Sequence, residues 1–417
     1  MHIKPLLISL VLACISGAAV AQSPATSWPA YRGPSDDGHS TARNVPVSWS
    51  ETTNVVWRTK IPGRGWSSPV VMDGMVWITT SEPVGKKLKV IGIKEKDGSI
   101  SHFIEVFDIE FPQEQHPLNT YASPSPVIEP GRLYVHFGAY GTACLDTRSG
   151  KILWKRTDLQ CDHGVGPGSS PMLYKNLLIL TFDGQDLQYL IALDKQTGKT
   201  VWKSPRSLDY SSMAPDARKA LTTPVVVRFN GRDQLVSVGP HAVMAYEPLT
   251  GQEIWKVRFE GYSGSSRPVA DDQNVYINCG LTPACIMAIK LSGTGDKTGS
   301  GIVWSNKRSM AARSSPLLID GLFYMVNSAG QAKCIDTQTG KELWVERVGE
   351  ETSASPVFAG GMIYTFDQGG LTAIIRPGRT FTRIAENRIS DGFMASPAIT
   401  DGSLYLRSKS ELIKIGR

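Results

Sequence analysis

Cys161-Asp162-His163 places a thiol two residues from an imidazole. That is the pair from which a thiolate nucleophile or two metal ligands are made. No further ligand stands at a matching spacing, and a hydrogen-bonded structural loop is the preferred reading. His116 and His163 occupy equivalent places in consecutive repeats, each ahead of a Ser-Pro pair. Two imidazoles so related can serve as acid and base, or hold a carboxylate or a sugar. Each can equally cap backbone groups of its own loop. Asp183-Gly184-Gln185-Asp186 resembles a short calcium-type loop, although its length suits a hairpin turn better.

Cations and aromatic rings form a second candidate set. Arg64, Lys219, Arg267, Arg313 and Arg407 are spread over five repeats, and Trp66, Tyr121, Tyr189 and Tyr262 lie on neighbouring loops. If the loops converge, the cations build a positive funnel for an anionic ligand and the rings offer stacking faces. Asn119 and His241 fall on the same loops.

These residues are positioned by a repeat. A small-polar/Pro element recurs eight times, at Ser68-Pro69, Ser125-Pro126, Ser170-Pro171, Thr223-Pro224, Arg267-Pro268, Ser315-Pro316, Ser355-Pro356 and Ser396-Pro397. The spacing, 40 to 57 residues, is that of propeller blades. After each Pro the pattern predicts two strands joined by a turn, then a third strand ending in a small-x-acid triplet, a Gly turn and a fourth strand. Cys144-x-Asp146, Ala192-x-Asp194, Ala245-x-Glu247 and Cys334-x-Asp336 lead to Gly150, Gly198, Gly251 and Gly340, and then to Trp154, Trp202, Trp255 and Trp344. The acid is expected to cap the turn and Gly to supply positive φ. The small residue is expected to let the inner sheets approach, and Trp to cover the neighbouring unit. Trp304 is a fifth case, after the Gly-rich insertion 292–301. The last unit stops after three strands, and Asn54–Arg58, which carries Trp57, is expected to complete it and close the ring. The fold is therefore read as all-β, an eight-bladed β-propeller of four-stranded antiparallel blades spanning 54–417, preceded by an arm over 22–53. The acid-Gly turns share one face of the disc. The loops before each Ser-Pro, and those between second and third strands, share the other, where the candidate residues fall.

The 417 residues carry a net charge of +6, 40 Gly, 26 Pro and 10 Trp. This composition excludes a disordered or fibrous chain, and the mild charge with no basic stripe argues against nucleic acid. Residues 1–21 read as a secretory signal, with Lys4 before an apolar run and Ala19-Val20-Ala21 as a cleavage site. The run is shorter than the roughly 20 apolar residues of a transmembrane span. A lipid anchor at Cys14 is the minority alternative. The mature protein is thus expected to be periplasmic or secreted, without a transmembrane span, and a monomer. Cys279 and Cys285 flank a hairpin turn and can pair there, whereas Cys144 and Cys334 read as small core residues.

The small-x-Asp-x-x-Thr-Gly-x-x-x-Trp pattern resembles the tryptophan-docking repeat of quinoprotein (PQQ-type) propellers, and Trp28-Pro29-Ala30-Tyr31-Arg32-Gly33-Pro34 is similar to their opening. Over 28–417 the chain resembles the exported PQQ-like repeat proteins grouped with BamB. The resemblance implies a binding or scaffold protein of the cell envelope, whose partner is an envelope protein, a polysaccharide or an anionic small molecule. The alternative is a periplasmic quinoprotein-type oxidoreductase, or a sugar-acting enzyme, with its site in the central funnel. The vicinal Cys-Cys of quinoprotein alcohol dehydrogenases is absent from this sequence, as is a Cys-x-x-Cys-His haem site. No metal site and no cofactor are expected, PQQ with calcium being carried by the resemblance alone.

Overall fold

A computed structural model describes residues 26–281, 283–307, 313–400 and 402–416. The leader 1–21 and Cys14 lie outside the described residues. Eight sheets are arranged as consecutive blades. Blade one runs through Val70–Met72, Met75–Ser81, Lys87–Lys94 and Ile100–Asp108, each strand antiparallel to the one before. Blade eight is built from Ala398–Thr400, Ser403–Arg407, Glu411–Ile415 and, from the other end of the chain, Val55–Lys60. Thr59 pairs with Leu412 and Lys60 with Glu411, so the ring closes as expected and Glu411–Ile415 has no free edge. Among the described residues helix is confined to two short 3-10 turns, Gly138–Tyr140 and Pro215–Arg218. Among the described residues no helix is long and apolar enough to cross a membrane.

The repeat's spacing has a local cause in each blade. Asp194 Oδ1 accepts the Thr197 amide at 2.9 Å and its hydroxyl at 2.8 Å, while the Gly198 amide returns to the Asp194 carbonyl at 2.8 Å. Gly198 has φ +72°, the left-handed conformation that glycine adopts without strain. The small residue two positions before the acid also has a partner within its own blade. Cys144, Ala192, Ala245, Ala288 and Cys334 each stand directly across the strand pair from Trp154, Trp202, Trp255, Trp304 and Trp344. The pairing register slips immediately after each of these pairs. Each small residue also shares a buried cluster with the following blade, Ala288 with Phe323 and Met325 and Cys334 with Ile363 and Ala373, so it serves both the indole and the blade interface.

The indoles then join blade to blade. Trp57, Trp154, Trp202, Trp304 and Trp344 donate their N–H to carbonyls of Glu95, Lys195, Pro248, Thr337 and Gly378 in the following blade, at 2.7–3.1 Å. Trp202 lies so close to Gly251 that a Cβ there would fall 2.5 Å from the ring. Trp255 departs from the pattern. Its N–H goes to Gln234 of its own blade at 2.8 Å, and its ring is covered by the Lys297 ammonium at 3.7 Å. The reason is the insertion in blade five. Its segment Gly295–Asp296 pairs parallel with Glu253–Arg258 and occupies the place of the usual turn. Cys279 and Cys285 form a disulfide across their hairpin, with Cα atoms 5.2 Å apart.

The N-terminal arm is built into the ring. Trp28 exchanges backbone hydrogen bonds with Val71, Pro29 accepts the Ile128 amide, and Gly38 and Ser40 bond to Phe358. The arm thus runs over the inner strands of blades one, two and seven, on the side of the acid-Gly turns.

Candidate functional site

The inner strand of each blade starts at the channel with the residue before Pro, and these residues form a ring. The Ser68 amide donates to Ser125 Oγ at 2.8 Å, Ser125 to Ser170 at 2.9 Å, and Ser170 to Thr223 Oγ1 at 2.9 Å. Across the channel the Arg267, Ser315 and Ser355 amides donate to Ser315, Ser355 and Ser396 hydroxyls at 2.8–2.9 Å. Arg267 replaces the hydroxyl in blade five. Its guanidinium turns down to Pro224 O, Tyr31 O and the Asp36 carboxylate, at 2.8–2.9 Å.

The arm seals this ring from below. The Tyr31 hydroxyl stands 2.9 Å from Ser315 Oγ and 3.0 Å from Ser355 Oγ. The buried Arg32 guanidinium donates to the carbonyls of Pro316, at 2.6 Å, and Pro356. What remains is a cup of about 390 Å³ opening on the loop face. Its floor includes Tyr31, Ser68, Ser125, Ser170, Thr223 and Ser396; its wall includes Trp66, His116, Asn119, Lys219 and Arg313.

The five wall residues are the expected ones that the fold does bring together. Trp66 carries the Arg64 guanidinium over its ring, 5.2 Å from the centroid, and Arg64 also holds Pro117 O at 2.8 Å. His116 Nδ1 accepts the Leu118 amide at 3.2 Å, which places the ring proton of the neutral imidazole on Nε2. Asn119 clamps Val165 O and Pro167 O. Lys219 is ion-paired with Asp216, and Arg313 with Glu351 at 2.8 Å. The expected array of free cations is therefore largely neutralised at the wall, because each charge taken from water is matched by a neighbouring carboxylate.

The other expected residues lie elsewhere. Arg407 is buried and donates to Ser67 O at 3.0 Å and to Ser67 Oγ. Burial pushes it down to about 9. Tyr121 bonds to Gln113 O and Tyr189 to Gln160 O, so both rings are blade packing and not stacking platforms. His241 Nε2–H donates to Ala217 O, with Tyr262 beside the ring at 5.7 Å. Asp186 caps the Asp162 and Leu187 amides. Asp183 turns inward to Arg206, so the two carboxylates of the Asp183–Asp186 turn do not converge on a cation. Among the described residues no three His, Cys, Asp or Glu side chains gather as a metal site.

Cys161 and His163 do approach, with Sγ 3.5 Å from Nδ1, yet the chemistry is quenched. His163 Nε2 accepts the Ala139 amide at 2.9 Å. Burial, reinforced by Asp186, Asp183 and Asp162, pushes the Cys161 thiol well above its ordinary range. Burial also holds His163 down, to about 4, and His136 to about 3, the latter also repelled by His163. Neither imidazole is thus poised to take a proton near neutrality. Both start from an ordinary value of 6.5. Between 6.5 and the folded values the unfolded chain binds more protons. Their stabilising contribution is therefore complete above pH 6.5 and is lost as pH falls toward 4 and 3. We expect the urea midpoint to decline over this window, and to decline less in His163→Gln. A slope unchanged by that substitution would contradict the assignment.

Sequence reasoning missed the floor. The hydroxyl before Pro in seven of the eight blades was visible, but as a strand-entry signal rather than as a lining. Tyr31 was visible only within the opening motif.

Known proteins share this architecture. A family model described as outer membrane protein assembly factor BamB matches residues 34–165 and 187–417. The BamB of Alkalilimnicola ehrlichii is 24% identical over 217 residues, which are 50% of this chain and 51% of that protein. The chain thus spans about half the length of that relative. The crystal structure of BamB from Moraxella catarrhalis superposes with a TM-score of 0.61 at 14% identity, over 87% of this chain and 99% of that one. A europium-containing methanol dehydrogenase superposes with a TM-score of 0.64 at 12% identity, over 94% and 89%. At such identities the two structures speak for the fold, which both share. The family match covers most of the propeller, and on that ground this chain belongs to the outer membrane protein assembly factor BamB family.

Proposed function

We propose that this chain is a binding or scaffold module of the cell envelope, exported by residues 1–21, and that it holds an envelope partner on its loop face. The observation that carries this reading is the fate of the chemistry-bearing groups. Cys161, His163, Asp183, Arg267 and Arg407 are each consumed in holding the ring together, while the loops around the cup present varied polar side chains on a rigid support. The family's description as an assembly factor supports the same direction.

The oxidoreductase alternative calls for PQQ with calcium in the channel, and the lining residues do not fit that group. Asp216 is the one carboxylate among them, and it is committed to Lys219. No catalytic step is derived through it.

Deleting the gene tests the scaffold reading. The expected result is a fall in correctly assembled outer-membrane β-barrel proteins, restored by the full chain. Unchanged outer-membrane content with the protein normally expressed in the parent would overturn it.

A further inference from the structure

The floor hydroxyls have an unusual hydrogen-bond state. Ser125, Ser170, Thr223 and Ser396 each accept a backbone amide from the preceding blade. Their own protons have no acceptor among the described residues, and all four line the cup. A hydroxyl carries one donor and two lone pairs, so each can still donate to an oxygen in the cup and accept from one. His116 Nε2–H adds a further donor at the wall.

Charge beneath the floor points the same way. Arg32, Arg267 and Arg407 are buried around the ring, each 2–3% exposed. Asp36, on Arg267, is the one carboxylate that any of the three touches. Arg32 and Arg407 rest on carbonyls and a hydroxyl. Burial lowers Arg32 to about 10, less than is needed to discharge it. Asp37 acts on Arg32 and offsets part of its charge, so the Arg407 guanidinium and the remainder of Arg32, held in a low-dielectric ring, bias the cup toward an anion although its wall is balanced. The upper wall carries apolar side chains, Leu118 and Met394 at the blades flanking Trp66 and Leu221 and Leu281 at blades four and five across the cup. An indole face beside aliphatic groups suits the C–H face of a pyranose, with polar groups fixing its orientation.

We propose that the cup binds a hexuronic acid, free or as the end of a uronate-containing glycan, with its hydroxyls on the Ser/Thr floor, one sugar face on Trp66 and its carboxylate taking the place of the exposed Glu351 on Arg313. The inference rests on the loop face being the binding face and deepens that reading by naming a ligand class. The cup's volume, about 390 Å³, is within the range of small-molecule sites and admits a monosaccharide with bound water.

Isothermal titration of the full mature chain with D-glucuronate, D-glucose and a trigalacturonate is the test. One-to-one glucuronate binding is expected, with glucose weaker by about tenfold or more, since it lacks the carboxylate. Trp66→Leu and Arg313→Gln should each weaken glucuronate by about tenfold while melting cooperatively like the parent. Equal or tighter binding of the trigalacturonate would assign the site to glycan ends within the same class. The proposal is overturned if glucuronate does not bind, if glucose binds as well, or if both folded variants bind like the parent. Either variant that loses the ligand but restores outer-membrane assembly in the deletion strain separates this site from the scaffold role.

Discussion

Replacing Arg206 with Met lowers the unfolding free energy by about 3–5 kcal/mol, the effect of stranding a buried charge. Arg206 follows the outer strand Thr200–Pro205 of blade three and points into the protein. Its Nε stands 3.0 Å from Asp183 Oδ1 and its Nη2 2.6 Å from Oδ2, a bidentate fork. The same Nη2 donates to Ser237 Oγ of blade four at 2.8 Å. Both ion-paired side chains are 0% exposed. Gly239 makes room for the pair, since a Cβ there would lie 2.9 Å from the guanidinium carbon. Met fills the stem's volume but leaves the carboxylate dry and alone. The double variant Asp183→Leu, Arg206→Met removes both charges and should recover most of the loss, because a well-packed apolar pair is often as stable as a buried ionic one. Urea denaturation of the three proteins measures this. A single variant within about 1 kcal/mol of the parent, in the range of ordinary surface changes, would show that the pair is not truly dry.

A chain beginning at Gly63 is expected to yield no cooperative, soluble monomer. It lacks Val55–Lys60, and with it the strand that pairs along Glu411–Ile415. An unpaired, largely buried strand would become an edge open to association. Blade one would also lose Trp57, which is buried, donates to Glu95 O at 3.0 Å and covers the Gly98 turn. That indole alone is worth about 3–5 kcal/mol on truncation to Ala. The arm goes too, taking Trp28, Tyr31 and Arg32 from beneath the channel. Size-exclusion chromatography and calorimetry of the truncated chain, with and without a synthetic peptide covering residues 51–62, provide the measurement. A sharp transition from a soluble monomer without the peptide would refute ring closure as the source of stability.

The blade grammar was legible because its contacts are short in sequence. Asp194, Thr197, Gly198 and Trp202 constrain one another within a single hairpin, and the same four-residue intervals recur wherever that hairpin recurs. The missing strand of blade eight was legible for a related reason: a unit one strand short leaves an edge that the other end of the chain can fill. The site was only half legible. Trp66, His116, Asn119, Lys219 and Arg313 do meet around one cavity. His163, Asp183, Arg267 and Arg407 stand at comparable positions relative to the repeat, yet their side chains turn into the protein. Spacing places a residue on a loop; it does not say whether a buried acceptor awaits its side chain there. The charged wall was misread for the same reason, since the carboxylates of Asp216 and Glu351 find their cations through loop conformation.

By itself, the sequence determined the number of blades, the turn chemistry and the closure of the ring, because each depends on hydrogen bonds and cross-strand pairs that repeat at fixed local intervals. Tertiary structure alone decided that the channel is a cup and not a pore. Arg32 meets Pro356 and Arg267 meets Asp36 across separations of 324 and 231 residues. Contacts of that span leave no periodic trace in a sequence, since their geometry exists only once all eight blades have brought their inner strands around one axis.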